Sequence, residues 1–435
     1  MQVLGKDKLV DFYQKHANVK SALEAWVSEA QSACWKTPQD IKDRYRSADF
    51  LDGNRVIFNI KGNHYRLVVK VRYQNGIAVI LDVALNHAFG RSPMVRMWMN
   101  DSDNDGWGEP SSENPYFNEV ALHSYNVGSD FDHSNPRTKD YAKRVIERWV
   151  EDFKIDGFRW DLTKGFTQNA AGSDSQTNAY QADRVAILKE YADYQWEKDP
   201  HFYVIFEHLG GNNEETEWVN YRLGEGKGIM MWGNHNYNYS SATRGKHSGS
   251  YSSDFSWASY KNRGWSVPAN VSYMESHDEE RLMYKNLQFG NQSNSSHDVR
   301  DLNTALSRMS ALGAVTLTIP GPKMIWHFGE LGMENSIFTC NNGTVNDPDC
   351  KLDTKPQPQW ANNWDMDPIR SQVYNDWSRL NDLKINEPVF EGNYSINQTD
   401  NSITPKIYIW DNTLPSTALK NVVILANFDV TAQNV

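Results

Sequence analysis

Four groups of polar side chains follow short apolar segments of the 435-residue chain, and each group contains a carboxylate. One such group alone is more often a salt-bridged strand end, because a buried carboxylate is costly unless it is paired. Four groups at equivalent places indicate a shared site, since parallel strands end at one edge of their sheet. The groups are Asp82, Asn86 and His87; Arg159, Asp161 and Lys164; Glu207 and His208; and His277 and Asp278.

Converging carboxylates beside an arginine suit glycoside hydrolysis. Retaining hydrolysis uses an ionised nucleophile and a protonated acid whose carboxyl groups lie about 5–5.5 Å apart. Arg159 precedes Asp161 by two positions, so on a strand both side chains share a face, and the guanidinium favours the ionised carboxylate. Glu207 follows the apolar segment "FYVIF", which favours the protonated form.

The elements that must position these residues alternate between short apolar strands and longer helices. This alternation predicts an α/β fold with a parallel sheet or barrel. Only six strands are predicted, whereas a complete (β/α)8 barrel has eight. The predicted strands lie near residues 76–83, 155–161, 202–207, 228–232, 271–276 and 314–326, and the predicted helices near 137–153, 183–197, 213–222, 298–312 and 366–384.

The remaining segments differ from this pattern. Residues 88–135 form a long irregular excursion, which predicts a small inserted subdomain. Residues 234–256 are rich in Ser, Asn and Tyr and are interpreted as a surface loop. Residues 387–435 contain the alternating segments "KIYIW" and "NVVILANF", which predict a small C-terminal β domain.

The N-terminal segment, residues 1–75, is predicted to be a small α+β module. A helix is expected over 4–32, and "TPQD" at 37–40 is a typical helix start. The segments "RVIFNI" and "HYRLVVKVRY" around "KGN" predict an antiparallel hairpin. The module carries 13 basic and 8 acidic residues, a net charge of +5, whereas the remainder carries 31 and 47, a net charge of −16. This asymmetry favours different partners for the two parts, although ordinary variation in surface charge explains it equally well.

The sequence carries signals for the compartment in its apolar segments and its three cysteines. No segment has the roughly 18 apolar residues of a membrane helix, and the first residues lack the apolar core of a signal peptide, which predicts a cytoplasmic protein. Cys340 and Cys350 flank a polar loop and would pair in an oxidising compartment. Cys34 has no obvious partner.

Four of these segments, in this order, resemble the conserved regions of the α-amylase family of retaining glycoside hydrolases: "DVALNH", "GFRWDLTKGF", "EHLG" and "SHDEER". "SDFDHSNP" resembles a further region at the end of the family's inserted domain B. The resemblance covers about residues 76–435. It implies a TIM barrel that hydrolyses α-1,4-glucosidic bonds in starch or maltooligosaccharides.

The resemblance also implies roles for individual residues. Asp161 would be the nucleophile, Glu207 the acid/base and Asp278 the transition-state stabiliser. The implied substrate-binding residues are Asp82, His87, Arg159, Lys164 and His277. A structural Ca²⁺ is implied at Asn86, Asp130 and a backbone carbonyl near Gly165, a set of oxygen ligands that suits calcium. Many family members have a histidine where this chain has Gly165.

A second acidic segment, "DSDNDGWGEPSS", begins like a calcium-binding loop. Its twelfth position is Ser112, where such a loop has glutamate. The segment is therefore interpreted first as a solvated acidic loop.

The N-terminal sequence "SACWKTPQDIKDRYRSADFLDGNRVIFNIKGNHYRLVVKVRY" resembles the HigB branch of RelE-like toxins, which cut mRNA on the ribosome. The resemblance implies RNA, the ribosome or an antitoxin as partners. The basic charge of the module agrees with a nucleic-acid partner.

Together the resemblances predict a join within about residues 73–80. A toxin fragment (1–75) would precede a barrel (76–386), which lacks two strand–helix units. A shortened C-terminal β domain (387–435) would follow the barrel. A barrel closes only when strand number, tilt and shear agree, so we expect two open edges and marginal stability. An α-amylase-type hydrolase is the leading hypothesis. The alternatives are an mRNA-cleaving toxin and a fusion product with neither activity.

Overall fold

A computed structural model describes residues 3, 6–33, 35, 38–51, 55–71, 78–345, 348–353, 362–397 and 403–434. The chain divides into two compact units, Met1–Val79 and Ile80–Val435. The predicted boundary between residues 75 and 76 and the predicted helix-capping Thr37 lie outside the described residues.

The first unit contains three helices and one antiparallel sheet, in the strand order β1-β2-β3. Its elements are α1 (Lys6–Lys15), α2 (Lys20–Ser32), α3 (Pro38–Arg44), β1 (Asp49–Leu51), β2 (Arg55–Ile60) and β3 (Tyr65–Lys70). Leu23 and Trp26 on α2 pack with Val56 and Phe58 on β2 in a buried apolar core. The helix predicted over 4–32 is therefore two helices, separated where the backbone at His16 leaves the helical conformation (φ −130°, ψ 64°).

The second unit is built on a six-stranded parallel sheet in the order β4-β9-β10-β11-β12-β13. Its strands are β4 (Ile80–Val83), β5 (His87–Ala88), β6 (Met99–Asn100), β7 (Glu109–Pro110), β8 (Ser129–Asp130), β9 (Gly157–Trp160), β10 (Tyr203–Phe206), β11 (Met230–Asn234), β12 (Asn270–Tyr273), β13 (Lys323–Met324), β14 (Asn393–Asn397), β15 (Lys406–Trp410) and β16 (Asn421–Leu425). Its helices are α4 (Pro93–Arg96), α5 (Pro136–Glu151), α6 (Asp174–Asn178), α7 (Ala182–Lys198), α8 (Asn212–Val219), α9 (Asn236–Thr243), α10 (Leu282–Phe289), α11 (Leu302–Leu317) and α12 (Pro368–Asn386). The predicted incomplete (β/α)8 barrel with six strands is confirmed.

Burial explains why the inner strands β9 and β10 of this sheet are rich in apolar residues. All four residues of β9 are buried, and Trp160 stacks on Tyr191 of α7 with ring centres 5.4 Å apart. Phe158 and Val204 from neighbouring strands lie in the same core. Side chains that cannot be buried are therefore confined to the strand ends.

The excursion between β4 and β9 consists of short elements with a small core of their own. Val95, Phe117 and Phe131 are buried together. β5 pairs antiparallel with β8, which sets His87 opposite Asp130. The excursion therefore returns to the end of β4, beside the predicted polar site.

The C-terminal segment forms an antiparallel sheet in the order β14-β15-β16. Ile407 and Ile409 of β15 are fully buried in a cluster that includes side chains of α11 and α12. Trp377 of α12 donates its indole N–H to the Met309 carbonyl of α11 at 2.9 Å. The helices thus join this sheet to the central one.

Two predictions for element type are wrong. Residues 314–317 belong to α11, and the strand predicted over 314–326 is limited to Lys323–Met324. The apolar segment is buried along a helix, where a continuous apolar run is as favourable as in a strand. Part of the loop predicted over 234–256 is helix α9, whose Tyr239 and Ala242 are buried.

Among the helices of the described residues, none combines the length and the apolar character needed to cross a membrane. Cys340 and Cys350 form a disulfide.

Candidate active site

The predicted site residues meet at the carboxyl ends of the central strands. The parallel register sets Asp82 of β4 beside Arg159 of β9. Asp161 follows β9 directly, and Glu207 follows β10. Asp278 follows β12 after a short turn. The fold thus places groups from four strands at one edge of the sheet.

The Arg159 guanidinium lies at the centre of this group and is almost fully buried. Its Nη1 atom lies 3.0 Å from Asp82 Oδ1 and donates a 2.9 Å hydrogen bond to Asp161 Oδ1. Its Nη2 atom lies 3.0 Å from Glu207 Oε2. The guanidinium carbon also lies 5.1 Å from the ring centre of Trp232, within cation–π range. One cation therefore gathers three carboxylates against an aromatic face.

Burial raises the pKa of Glu207 to about 7. The Arg159 charge and a 2.9 Å hydrogen bond from the Leu162 N–H lower this pKa, and the negative charges of Asp161 and Asp278 raise it. The effect of burial on the pKa of Glu207 is larger than that of the Arg159 charge, because about nine-tenths of the Glu207 side chain is removed from water. Glu207 therefore carries its proton over much of the range below neutral pH.

Asp278 has the opposite character. Burial raises its pKa, but Lys351, His277 and Arg159 together hold that pKa below its usual value. The Lys351 amine donates to Oδ1, and His277 Nε2 lies 3.4 Å from Oδ2. Asp278 therefore remains ionised where Glu207 is protonated.

The other predicted substrate-binding residues border this centre. His87 is half-buried, its Nδ1 contacts Asn86 Oδ1, and burial lowers its pKa and so favours the neutral ring. The Lys164 amine lies 4.0 Å from the Tyr125 ring centre, and burial lowers its pKa. His208 is fully buried, and its Nε2 atom lies 2.6 Å from Glu214 Oε2.

Asn86, Asp130 and Gly165, the residues implied for calcium, also meet. The Asn86 carbonyl accepts the Phe131 N–H at 3.0 Å, and a Cβ atom at Gly165 would lie 3.1 Å from the Asn86 Cβ. The buried ring of His123 lies among them, with Nε2 3.3 Å from Asp130 Oδ1.

Room for that ring depends on the glycine, because a Cβ atom at Gly165 would stand 3.0 Å from His123 Nε2. Asp130 Oδ2 accepts hydrogen bonds from the Asn118 side chain and the Leu122 N–H. Asp130 Oδ1 is buried and accepts no hydrogen bond from the described residues. A buried carboxylate oxygen of this kind, beside further oxygen atoms, fits a calcium ligand.

The acidic segment 101–105 is separate from this cluster. Carboxylate oxygens of Asp101, Asp103 and Asp105 lie within 4.8 Å of one another. Asp101 Oδ2 accepts the Gly106 N–H at 3.0 Å, which closes the loop.

Comparison with known proteins identifies the second unit. Residues 90–381 match the family model of the alpha amylase catalytic domain. The chain belongs to the alpha amylase family. Residues 19–88 match the model of the HigB toxin, the RelE-like toxic component of a toxin–antitoxin system.

Several relatives of this alpha amylase family member are named as debranching enzymes. The glycogen debranching enzyme of Enterobacter sp. (strain 638) is 31% identical over 135 residues, which are 29% of this chain and 20% of that protein. Isoamylase 1 of Arabidopsis thaliana is 27% identical over 122 residues, 28% of this chain and 15% of that protein. The chain spans about a fifth or less of either relative.

Solved structures of pullulanases share the fold. Apo pullulanase from Klebsiella pneumoniae superposes with a TM-score of 0.53 at 15% identity, over 81% of this chain and 46% of that one. Pullulanase complexed with maltotetraose from Anoxybacillus sp. LM18-11 gives a TM-score of 0.51 at 16% identity, over 81% of this chain and 48% of that one.

Sequence reasoning missed two residues of the candidate site, Trp232 and Lys351. Trp232 alternates with Met230 and Asn234 on β11, and this period of two was a usable signal for a shared face. Lys351 reaches the site through a loop contact with Asp278, for which the sequence carries no local signal.

Arg159→Met tests whether the guanidinium compensates the buried carboxylates. We expect the free energy of unfolding at pH 7 to fall by about 3–5 kcal/mol, as when one partner of a buried ion pair is removed. The Arg159 charge lowers the pKa of Glu207, so without it this carboxyl group is protonated at higher pH, and the destabilisation should shrink as the pH falls. Urea denaturation at pH 7 and pH 5, followed by tryptophan fluorescence, measures both values.

The matched control is Arg148→Met, which removes an exposed arginine paired with Asp152. Its free energy of unfolding should stay close to that of the wild type. Equal losses for the two variants at pH 7 would contradict the role given to Arg159.

Proposed function

We propose that the second unit hydrolyses α-1,4-glucosidic bonds of starch-type glucans with retention of configuration. The observation that carries this proposal is the shared guanidinium of Arg159. It contacts both Asp161 and Glu207, while burial gives Glu207 the raised pKa that a general acid needs. Membership of the alpha amylase family supports the substrate class.

In the first step, Glu207 donates its proton to the glycosidic oxygen, and the Asp161 carboxylate attacks the anomeric carbon. The bond to the leaving sugar breaks, and a glycosyl ester forms on Asp161. In the second step, ionised Glu207 takes a proton from water, whose oxygen attacks the same carbon. The sugar is released with its configuration retained, and both carboxyl groups return to their starting states.

The surrounding groups would bind and stabilise the sugar. Ionised Asp278 accepts hydrogen bonds from sugar hydroxyls and stabilises positive charge that develops at the anomeric carbon. Asp82, His87, Lys164 and His277 border the same space and offer further donors and acceptors. Maltotriose-bound pullulanase structures share the fold, which supports a maltooligosaccharide as ligand.

Hydrolysis of α-1,6 bonds is the alternative specificity, because the curated relatives are named as debranching enzymes and an isoamylase. The two linkages are distinguished by their products. Amylose contains only α-1,4 bonds, whereas cleavage of the α-1,6 bonds in pullulan releases maltotriose.

The catalytic proposal predicts that the purified chain releases reducing ends from soluble starch and that release vanishes in Asp161→Asn. A loss of about 1,000-fold or more is expected for a covalent nucleophile. Because the raised pKa of Glu207 keeps its acid protonated below about 7, kcat/KM should fall as pH rises through about 7. A reducing-sugar assay from pH 4 to pH 9 measures both effects.

Matched unfolding midpoints for the wild type and Asp161→Asn serve as the control, since the amide replaces the carboxylate at equal size. If neither protein releases sugar while both are folded, the motifs persist without a functional cleft, as the fusion-product hypothesis holds. Release from pullulan with none from amylose would favour the α-1,6 alternative.

We further propose that Ca²⁺ binds at the side chains of Asn86 and Asp130 and the carbonyl of Gly165. The cation would supply a fixed positive charge that joins the excursion to the ends of β4 and β9. The Oδ1 atom of Asp130 is buried and accepts no hydrogen bond from the described residues, which supports this assignment.

Calcium should therefore raise the melting temperature of the wild type. At a concentration about 100 times the dissociation constant, we expect a rise of about 3–8 °C, read by differential scanning fluorimetry after chelation and re-addition. Asp130→Asn should lose most of that rise, while Asp103→Asn in the separate acidic loop should keep it. A wild-type midpoint that does not respond to calcium would refute the site.

Toxicity of the first unit is a second candidate function. The match of residues 19–88 to the HigB toxin model favours it, as does the net charge of +5 over residues 1–75, with RNA, the ribosome or an antitoxin as the partner.

Expression of the full chain carrying Asp161→Asn in a bacterial host should then arrest growth and shorten mRNA half-lives, because that variant removes only the glycosidase. Half-lives are read by quantitative RNA analysis after transcription is stopped. Normal growth with intact mRNA and soluble full-length protein would count against a toxin.

A further inference from the structure

A disulfide-bonded segment lies beside the proposed glycosidase site. It comprises residues 336–345 and 348–352, which follow the last strand of the central sheet, and is called the disulfide segment below. Its start is tied to Glu280, which accepts hydrogen bonds from the Ser336 hydroxyl and the Ile337 N–H. Its end returns to its start, because the Leu352 N–H donates to the Ile337 carbonyl at 2.7 Å.

The tip of the segment is tied to the site a second time. Cys350 is bonded to Cys340, and the next residue, Lys351, donates from its amine to Asp278 Oδ1. Leu352 adopts a left-handed conformation with φ 62°, a conformation that a leucine takes only when its surroundings impose it. The covalent bond and the backbone contacts thus confine Lys351 to the neighbourhood of Asp278.

Other charged groups around Asp278 come from several elements. His277 lies on the same turn, Arg159 comes from β9, and Glu207 follows β10. Glu279 is the next residue along the chain, and its pKa is raised by burial and by the Asp278 charge. Lys351 forms a direct ion pair with Asp278 and comes from the disulfide segment, outside the central sheet.

We propose that Lys351 is a positioning residue for Asp278 and that the Cys340–Cys350 disulfide holds it there, so that the redox state of this disulfide sets the activity of the site. The proposal rests on the transition-state role proposed for Asp278. A free Lys351 would leave the Asp278 carboxylate without the donor that fixes its orientation. Both side chains are about a third exposed, so the contact is accessible to change.

The chemistry of the switch is thiol–disulfide exchange. A dithiol reductant attacks the disulfide as thiolate, the sulfur–sulfur bond breaks, and Cys340 and Cys350 each leave with a proton. The reductant is oxidised to its own disulfide. Such exchange favours the closed form in an oxidising compartment and the open form in a reducing one.

A purely structural role for the segment makes different predictions. It would change stability or overall rate, but not the pH at which Asp278 protonates. The positioning role changes that pH, because the Lys351 charge lowers the pKa of Asp278.

The test compares the wild type, Lys351→Met, Lys351→Arg and Cys340→Ser/Cys350→Ser in starch hydrolysis from pH 3 to pH 9, with and without dithiothreitol. Lys351→Met should move the acidic limb of kcat/KM up by about 0.5–1 pH unit, and Lys351→Arg should restore most of it. The reduced wild type and the double serine variant should show the same upward shift of the acidic limb of kcat/KM. Lys406→Met, an exposed lysine of β15, should leave the profile unchanged.

A second measurement does not depend on catalysis. Acetylation of lysines, followed by mass spectrometry, should show Lys351 reacting more slowly in the oxidised wild type than in the reduced protein or in Asp278→Asn. Unchanged acetylation rates, or a pH profile that Lys351→Met does not move in an active enzyme, would overturn the proposal. A wild type that is no more active than Asp161→Asn, with the expected acetylation pattern, would refute the glycosidase function and leave the redox-held contact established.

Discussion

The arrangement of the second unit depends on the Arg159 guanidinium. Its positive charge is buried, so the carboxylates of Asp82 and Asp161 must lie close enough to compensate it, and the carboxyl group of Glu207 contacts the same guanidinium. That requirement constrains the sheet, because the three carboxylates come from the ends of three neighbouring strands. A shift of one residue in the pairing of β4 with β9 would turn Asp82 to the opposite face and leave the cation undercompensated.

Holding Glu207 in place requires a second buried network beneath the strand ends. Thr163 binds the Glu207 carbonyl through both its N–H and its hydroxyl. The neighbouring His208 ring lies 2.6 Å from Glu214 through its Nε2 atom, and Glu214 also forms an ion pair with fully buried Arg184. These groups lie outside the proposed chemistry but fix the backbone on either side of the acid. Glu207 can then be removed from water without losing its position, and that burial raises its pKa.

Local patterns predicted those parts of the molecule that local physics determines. The strands β9 to β12 were found because their residues are largely buried, and the four carboxylate groups because they follow apolar runs. Helix α9 was missed because its buried face carries Ser, Asn and Tyr, residue types that are usual in loops. Lys351 and His123 reach their sites on long loops, so no periodicity marks them. The space that Gly165 leaves for His123 is a property of two distant segments and has no counterpart in either alone.

For residues 80–88, the matches to known families and the compact units of the structure place the boundary in the chain differently. The HigB toxin match extends to residue 88, and the alpha amylase match begins at residue 90, yet the compact units divide at residue 79. A short apolar strand followed by polar residues is compatible with both families, but the segment "DVALNH" led to the prediction that it belongs to the barrel. The contacts decide it: β4 pairs with β9 over four residues, Asp82 compensates Arg159, and the Asn86 amide donates to the carbonyls of Asp161 and Leu162. Because buried polar groups must find partners, the segment belongs with the sheet whose cation and carbonyls it satisfies.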